Sequence, residues 1–280
     1  VATPNDFGVQ GQLPTHPELL DWLAVSFSED WDLNALIKKM VLSGTYQQQS
    51  LSNPSLDQKD PNNLLFSRAN SSRLPAEIIR DNALKVSGLL NTKVGGESVR
   101  PYQPEGLWKE KNNFSAFLLE YKESQGEDLY RRGLYTFIRR TSPPPNMLTF
   151  DATSREVCTV KREVTSTPLQ ALVLLNDPQF FEASRIFAER MIKSKDTLED
   201  QISHGFRLAT ARHPKAEELE ILIDLYNSQY KYFRQNRDKA YQVLSVGEKV
   251  RDMNLYSVKT AAMTMIANTL LNHNETYTKR

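Results

Sequence analysis

Thr167-Pro168-Leu169-Gln170-Ala171-Leu172-Val173-Leu174-Leu175-Asn176-Asp177-Pro178 carries the local signal that decides the fold class. Twice in this stretch an oxygen-bearing side chain is followed by proline. Thr167 and Asp177 are N-cap types, because their side-chain oxygens can accept from a backbone N–H that has no partner inside the helix. Pro168 and Pro178 then stand at the first helical position, where the missing N–H loses nothing. The apolar run between them, Ala171 to Leu175, falls far short of the roughly 18 residues that would suggest a membrane span.

Outward toward the C-terminus, spacings of three and four residues repeat. One helix is expected from about Pro178 to Lys193, packed through Phe181, Ile186 and Ile192. Asp196-Thr197-Leu198-Glu199 should cap the next, with Ile202, Phe206 and Ala209 inward. Leu219, Leu222, Ile223, Tyr226 and Tyr230 share a face, as do Leu255, Val258, Ala262, Met265 and Ile266.

Toward the N-terminus, residues 1–14 read as an extended lead-in. Thr15-His16-Pro17-Glu18 resembles a capping box ahead of a helix that buries Leu19, Leu20, Leu23 and Phe27. A second helix is expected from Leu33 to about Leu42, a short one from Asp60-Pro61 through Leu64, Leu65 and Ala69, and another from Pro75. Residues 91–126 are broken by Gly95-Gly96, Pro101 and Pro104 and show no period. Leu134–Arg140 fits a strand through Tyr135, Thr136, Phe137 and Ile138, and also a helix face through Leu134 and Ile138. Pro143-Pro144-Pro145 ends either one.

The expected fold class is therefore mainly α: a multi-helix globular domain with a long irregular middle segment and room for one short strand pair. Residues 1–280 are read as a single helical domain, with candidate sub-lobes 1–90 and 127–280 joined by irregular 91–126. Because the first residue is Val1, the chain is read as a fragment of a longer multidomain protein or as a processed chain.

Composition excludes several classes. With 35 basic and 34 acidic residues, no global field draws the chain onto nucleic acid or an anionic membrane. Cys158 is the single cysteine, so no internal disulfide and no cysteine-based zinc site can form. It reads as a buried, inert thiol. His16, His204, His213 and His273 lack metal-ligand spacing, and no haem-attachment motif, phosphate loop or G-x-S-x-G elbow is present. No metal and no haem are expected here. The triplets at Asn70, Asn113 and Asn274 match the glycosylation sequon, but such triplets are common by chance.

Two polar clusters remain. Arg73, Glu77, Arg80 and Asp81 lie around the helix start at Pro75; they read either as a polar-ligand site or as a solvated salt-bridge ladder. The segment from Phe150 to Asn176 concentrates Asp151, Arg155, Glu156, Arg162 and Thr167 ahead of an apolar helix. Asp151 and Glu156 would accept protons or hydrogen bonds, Arg155 and Arg162 would hold an anion, and Thr167 would start a helix whose N-terminus attracts negative charge. The competing reading is a charged loop whose hydroxyls cap a buried helix.

Thr-His-Pro-Glu-Leu-Leu-Asp-Trp-Leu-Ala (15–24), Tyr-Arg-Arg-Gly-Leu-Tyr-Thr-Phe (130–137) and Thr-Pro-Leu-Gln-Ala-Leu-Val-Leu-Leu-Asn-Asp-Pro-Gln-Phe (167–180) resemble a family. It is the C-terminal domain of unknown function 1553 of planctomycete-type proteins that often carry a cytochrome c-like domain at their N-terminus. The resemblance runs from about Asp6 to the end. It implies export to an extracytoplasmic, periplasmic or cell-surface location. It also implies haem only in an N-terminal domain absent here, no cofactor in this fragment, and the other domains of the same chain as partners. It transfers no catalytic residue.

Two functional readings stand. One is an interaction or scaffold domain of an exported, redox-linked multidomain protein. The other is an extracytoplasmic enzyme acting on a polar, carbohydrate-like substrate. A pocket with convergent carboxylates would favour the enzyme, and an exposed apolar patch would favour docking.

Overall fold

The computed structural model describes residues 3–6, 8–51, 53–108 and 120–279. Within them the chain is mainly α, with twelve α-helices and one two-stranded sheet. The helices are α1 (Pro17–Ser28), α2 (Leu33–Val41), α3 (Pro54–Lys59), α4 (Ala76–Ser87), α5 (Pro145–Thr149) and α6 (Pro168–Asn176). They continue with α7 (Pro178–Ser194), α8 (Leu198–Thr210), α9 (Ala216–Gln235), α10 (Arg237–Leu244), α11 (Ser257–Leu271) and α12 (Asn274–Tyr277). β1 (Ser72–Arg73) pairs antiparallel with β2 (Thr278–Lys279), matching Ser72 to Lys279 and Arg73 to Thr278. No helix of the described residues is long and apolar enough to cross a membrane.

The chain divides into two compact units: residues 1–73, 158–163 and 278–280, and residues 74–157 and 164–277. The second holds the hydrophobic core. At its centre α7 packs on α11, with α4, α6, α8, α9 and α10 packed against one or both of them. Alanines allow this close approach: Ala183 and Ala188 on α7, and Ala261, Ala262 and Ala267 on α11, are fully buried. In this unit the helix starts read at Pro168, Pro178 and Thr197 are present. Pro168 and Pro178 open α6 and α7, and the Asp177 carboxylate accepts from the N–H of Gln179 at 3.0 Å. Thr197 caps α8 by accepting from Asp200 N–H at 3.2 Å.

The inward face of α7 differs from the expected one. Phe180, Phe187 and Met191 are buried, while Phe181, Ile186 and Ile192 are half-buried. The cause is that Glu182, Arg185 and Glu189 also point inward, so the helix is enclosed on most sides. In the middle segment, residues 109–119 and the sequon at Asn113 lie outside the described residues, as do parts of the lead-in. The rest of 91–126 is irregular except for isolated bridges. Leu134–Arg140 opens in a single 3-10 turn, Gly133–Tyr135, and then extends. Phe137 N–H donates to Val99 carbonyl at 2.7 Å, and Val99 N–H to Tyr135 carbonyl at 2.8 Å.

In the first unit the described residues bury no hydrophobic side chain. Leu19 and Leu20, expected inside, are 45% and 48% exposed, because three short helices form too few layers to enclose a core. Thr15 is not the cap of α1. His16 holds that position, and the Thr15 hydroxyl lies 3.0 Å from His16 Nδ1. The expected helix from Asp60-Pro61 is also absent. The buried Asp60 carboxylate accepts from the N–H groups of Leu64 (2.7 Å) and Leu65 (2.8 Å), which closes a turn instead.

Candidate functional site

Asp151 follows the buried Phe150 and adopts a left-handed backbone, φ +57°. Its carboxylate accepts from Thr165 N–H at 2.8 Å and from the Thr165 hydroxyl at 2.9 and 3.0 Å. Gln170, in the first turn of α6, donates to the carbonyls of Thr149 (3.0 Å) and Thr165 (3.2 Å). Its Oε1 accepts from Thr167 N–H at 3.4 Å. These bonds tie the two ends of the 151–165 loop together at its base. Thr165 and Gln170 were missed in the sequence, although Thr-x-x-Gln at 167–170 is a capping-box pattern.

The other expected members disperse. Arg155, also left-handed at φ +61°, lies 3.9 Å from Glu77 of α4, so the two sequence clusters meet at one ion pair. Glu156 is exposed, and its N–H reaches Ser154 Oγ at 3.4 Å. Arg162 belongs to the first unit, whereas Asp151, Arg155, Glu156 and Thr167 belong to the second. Cys158 is exposed, not buried, on a loop that also exposes Val157 and Val160.

The Arg73 cluster is not a solvated ladder. Arg73 lies in β1 of the first unit. Arg80 is buried, and its guanidinium donates to Gln179 Oε1 (2.6 Å) and to the carbonyls of Arg131 (2.5 Å) and Leu129 (2.8 Å). Burial lowers its pKa to about 10, against the opposing pull of Asp81 and Asp177. Asp81 accepts from Gly133 N–H at 2.6 Å, and burial raises its pKa. Both side chains hold the 129–133 loop on α4.

A polar network that sequence reasoning did not find lies on α7. Glu182 is completely buried and accepts from the hydroxyls of Tyr130 (2.9 Å) and Tyr102 (3.0 Å) and from Lys249 N–H (2.7 Å). Arg185 lies 3.8 Å from Glu182 and 3.5 Å from Glu189, and it donates to the carbonyls of Val246 (3.1 Å) and Lys249. Burial, with the Glu182 charge second, pushes both tyrosine pKa values up, so both phenols stay proton donors. The pattern Glu182-x-x-Arg185-x-x-x-Glu189 looks like an ordinary surface ladder in sequence. Buried as it is, the network holds the 246–252 loop on α7.

An open concavity of the first unit is a groove of about 440 Å³, within the usual size range of small-molecule pockets. Leu19, Trp22 and Leu23 of α1, Met40 of α2, Tyr46 and Phe66 form its apolar lining. Lys39 lies over the Trp22 ring at 4.9 Å, and Lys279 over the Tyr46 ring at 4.1 Å. No Asp or Glu is among its described lining residues. Elsewhere, no group of three or more His, Cys, Asp or Glu among the described residues could hold a metal ion.

No curated protein and no solved structure matches the chain. A family model described as "PSD1: Protein of unknown function (DUF1553)" matches residues 1–226, rather than from about Asp6 to the end. That match covers most of the 280 residues, and the chain belongs to the DUF1553 family of proteins of unknown function.

Proposed function

We propose that the chain is an interaction domain, a scaffold that docks a partner domain through the exposed apolar face of α2. The stripe Leu33–Ile37–Val41 carries this reading. These side chains are 58%, 45% and 36% exposed, and their spacing of four puts them on one helix face. None of the three lines the groove. An uncovered apolar helix face of this kind is what a partner helix covers in a groove-type complex.

The family resemblance supplies the partner: another domain of the same exported, redox-linked protein, with haem confined to an N-terminal cytochrome-like part. Nucleic acid is not a partner on the even charge balance. The enzyme reading has less support. Glycoside hydrolysis needs a pair of carboxylates flanking the scissile bond, and the groove's described lining offers none.

Cross-linking of the protein isolated from its native source tests the docking. Lys38 of α2 should link to another domain of the same polypeptide, and Ile37→Asp should remove that link. A link unchanged by Ile37→Asp, or no link from α2 at all, overturns the reading.

A further inference from the structure

The groove of the first unit has a chemistry of its own, independent of the α2 stripe. Three of its polar lining residues, Asn63, Ser43 and Arg68, are committed to the fold, while Thr45, Asn70 and Ser72 complete the polar lining apart from two lysines. Asn63 donates to Arg68 carbonyl (2.7 Å) and Asn70 Oδ1 (3.0 Å), and its own Oδ1 accepts from Arg68 N–H (3.2 Å). Ser43 Oγ donates to Met40 carbonyl at 2.7 Å and accepts from Tyr46 N–H at 3.2 Å. Arg68 donates to the carbonyls of Asp60 (3.2 Å) and Pro61 (3.1 Å) and pairs with Asp57 at 3.4 Å. A sugar, which needs many free hydrogen-bonding partners, would find few here.

Besides two hydroxyls and the Asn70 amide, the groove offers a ligand an apolar wall and two ammonium groups. Lys39 donates to Ser26 Oγ and Lys279 stacks on Tyr46, and neither contact neutralises the charge. A cation on an aromatic face keeps its affinity for an anion, because the ring offers only a quadrupole. With no carboxylate in the described lining, the groove has a net positive field over an apolar floor.

We propose that this groove binds a small amphiphilic anion, an aliphatic or aryl carboxylate. Its apolar body lies against Trp22, Leu23, Met40 and Phe66, and Lys39 and Lys279 supply the counter-charge for its head. The volume suits a single such molecule better than a protein element, since a docked helix alone is about 10 Å across.

Isothermal titration calorimetry of the whole chain with octanoate, octan-1-ol and octylammonium at neutral pH is the test. The three probes share an apolar body and differ in head charge. Octanoate should bind tightest and octylammonium about tenfold or more weaker. Lys39→Met combined with Lys279→Met should bring the two within about twofold while octan-1-ol still binds. The melting temperature of the double variant reports its fold, and the wild-type comparison stands by itself whatever the variant does. No octanoate binding at roughly millimolar ligand, equal or tighter octylammonium binding, or a preference that survives in the folded double variant overturns the proposal.

Discussion

Tyr130 donates its phenol proton to Oε1 of Glu182 at 2.9 Å, on a carboxylate with no solvent exposure. Glu182 also receives Tyr102 and the Lys249 N–H, and it stands beside Arg185. Glu182→Ala would leave two phenol protons and the Lys249 N–H without their acceptor and take one of two neighbouring carboxylates from a buried guanidinium. It should destabilise the chain by about 3–5 kcal/mol in urea unfolding. A loss below about 1 kcal/mol would show that water replaces the carboxylate and that the network is less closed than its geometry.

Gly247 makes a separate prediction about the same site. Its φ is +88°, and a Cβ built there would sit 2.2 Å from Glu182 Cδ. Gly247→Ala therefore meets both backbone strain and a clash with a side chain that cannot move away. Gly88, at φ +89° with open space around it, shares only the strain. Gly247→Ala should cost about 2–4 kcal/mol and Gly88→Ala about 1–2 kcal/mol, read as shifts in the urea midpoint. Equal losses would remove the clash from the account.

Arg212 sets an acid-sensitive contact. It bonds Glu218 at 2.7 and 2.8 Å and Glu275 at 2.6 and 3.1 Å, joining the end of α8 to α9 and α12. The hydrogen bond from Arg212 holds the Glu218 pKa down to about 2, from an ordinary 4.5. A carboxyl whose folded pKa is lowered contributes stability above its unfolded pKa and loses it as pH falls through the folded one. Arg212→Met should thus cost about 1–2 kcal/mol at pH 7, and that difference should shrink as the pH is brought from about 4.5 toward 2. A difference that stays constant across this window would contradict the pairing.

Asp151 tests whether the 151–165 loop is latched. Asp151→Ala removes the bonds from both the N–H and the hydroxyl of Thr165. Thr165→Val removes the hydroxyl bonds alone, together with the contact from Gln170 Nε2. The shared hydroxyl bonds should make the two effects less than additive. Each should cost about 1–2 kcal/mol, with a coupling of at least about 0.5 kcal/mol in a double-mutant cycle of melting experiments. Strict additivity would mean that the two side chains act separately.

Helix starts were readable because capping is local. Thr167, Asp177 and Thr197 lie within three residues of the N–H groups they serve or line up, and proline restricts its own φ. Where a cap has a competing partner nearby, the local reading failed. Thr15 meets His16, and Asp60 closes a turn in place of a helix. Of the candidate site, Asp151 and Thr167 could be singled out as polar residues at a helix entry. Thr165 could not, because its importance comes from a carboxylate fourteen residues away.

The amino-acid sequence by itself determined the helical class, the starts of α6, α7 and α8, and membership in a family without an assigned function. Those properties depend on contacts within a turn or two, or on residue identity alone. The direction of Glu182 and Arg185, the partners of Arg80 and the exposure of α1 and α2 were decided only by tertiary structure. A charged residue on a helix reads as solvated unless segments far along the chain bring it donors and carbonyls. Tyr102, Leu129, Arg131 and Lys249 do that here. An apolar residue likewise reads as buried unless the layers around it are too few to close, and in the first unit they are.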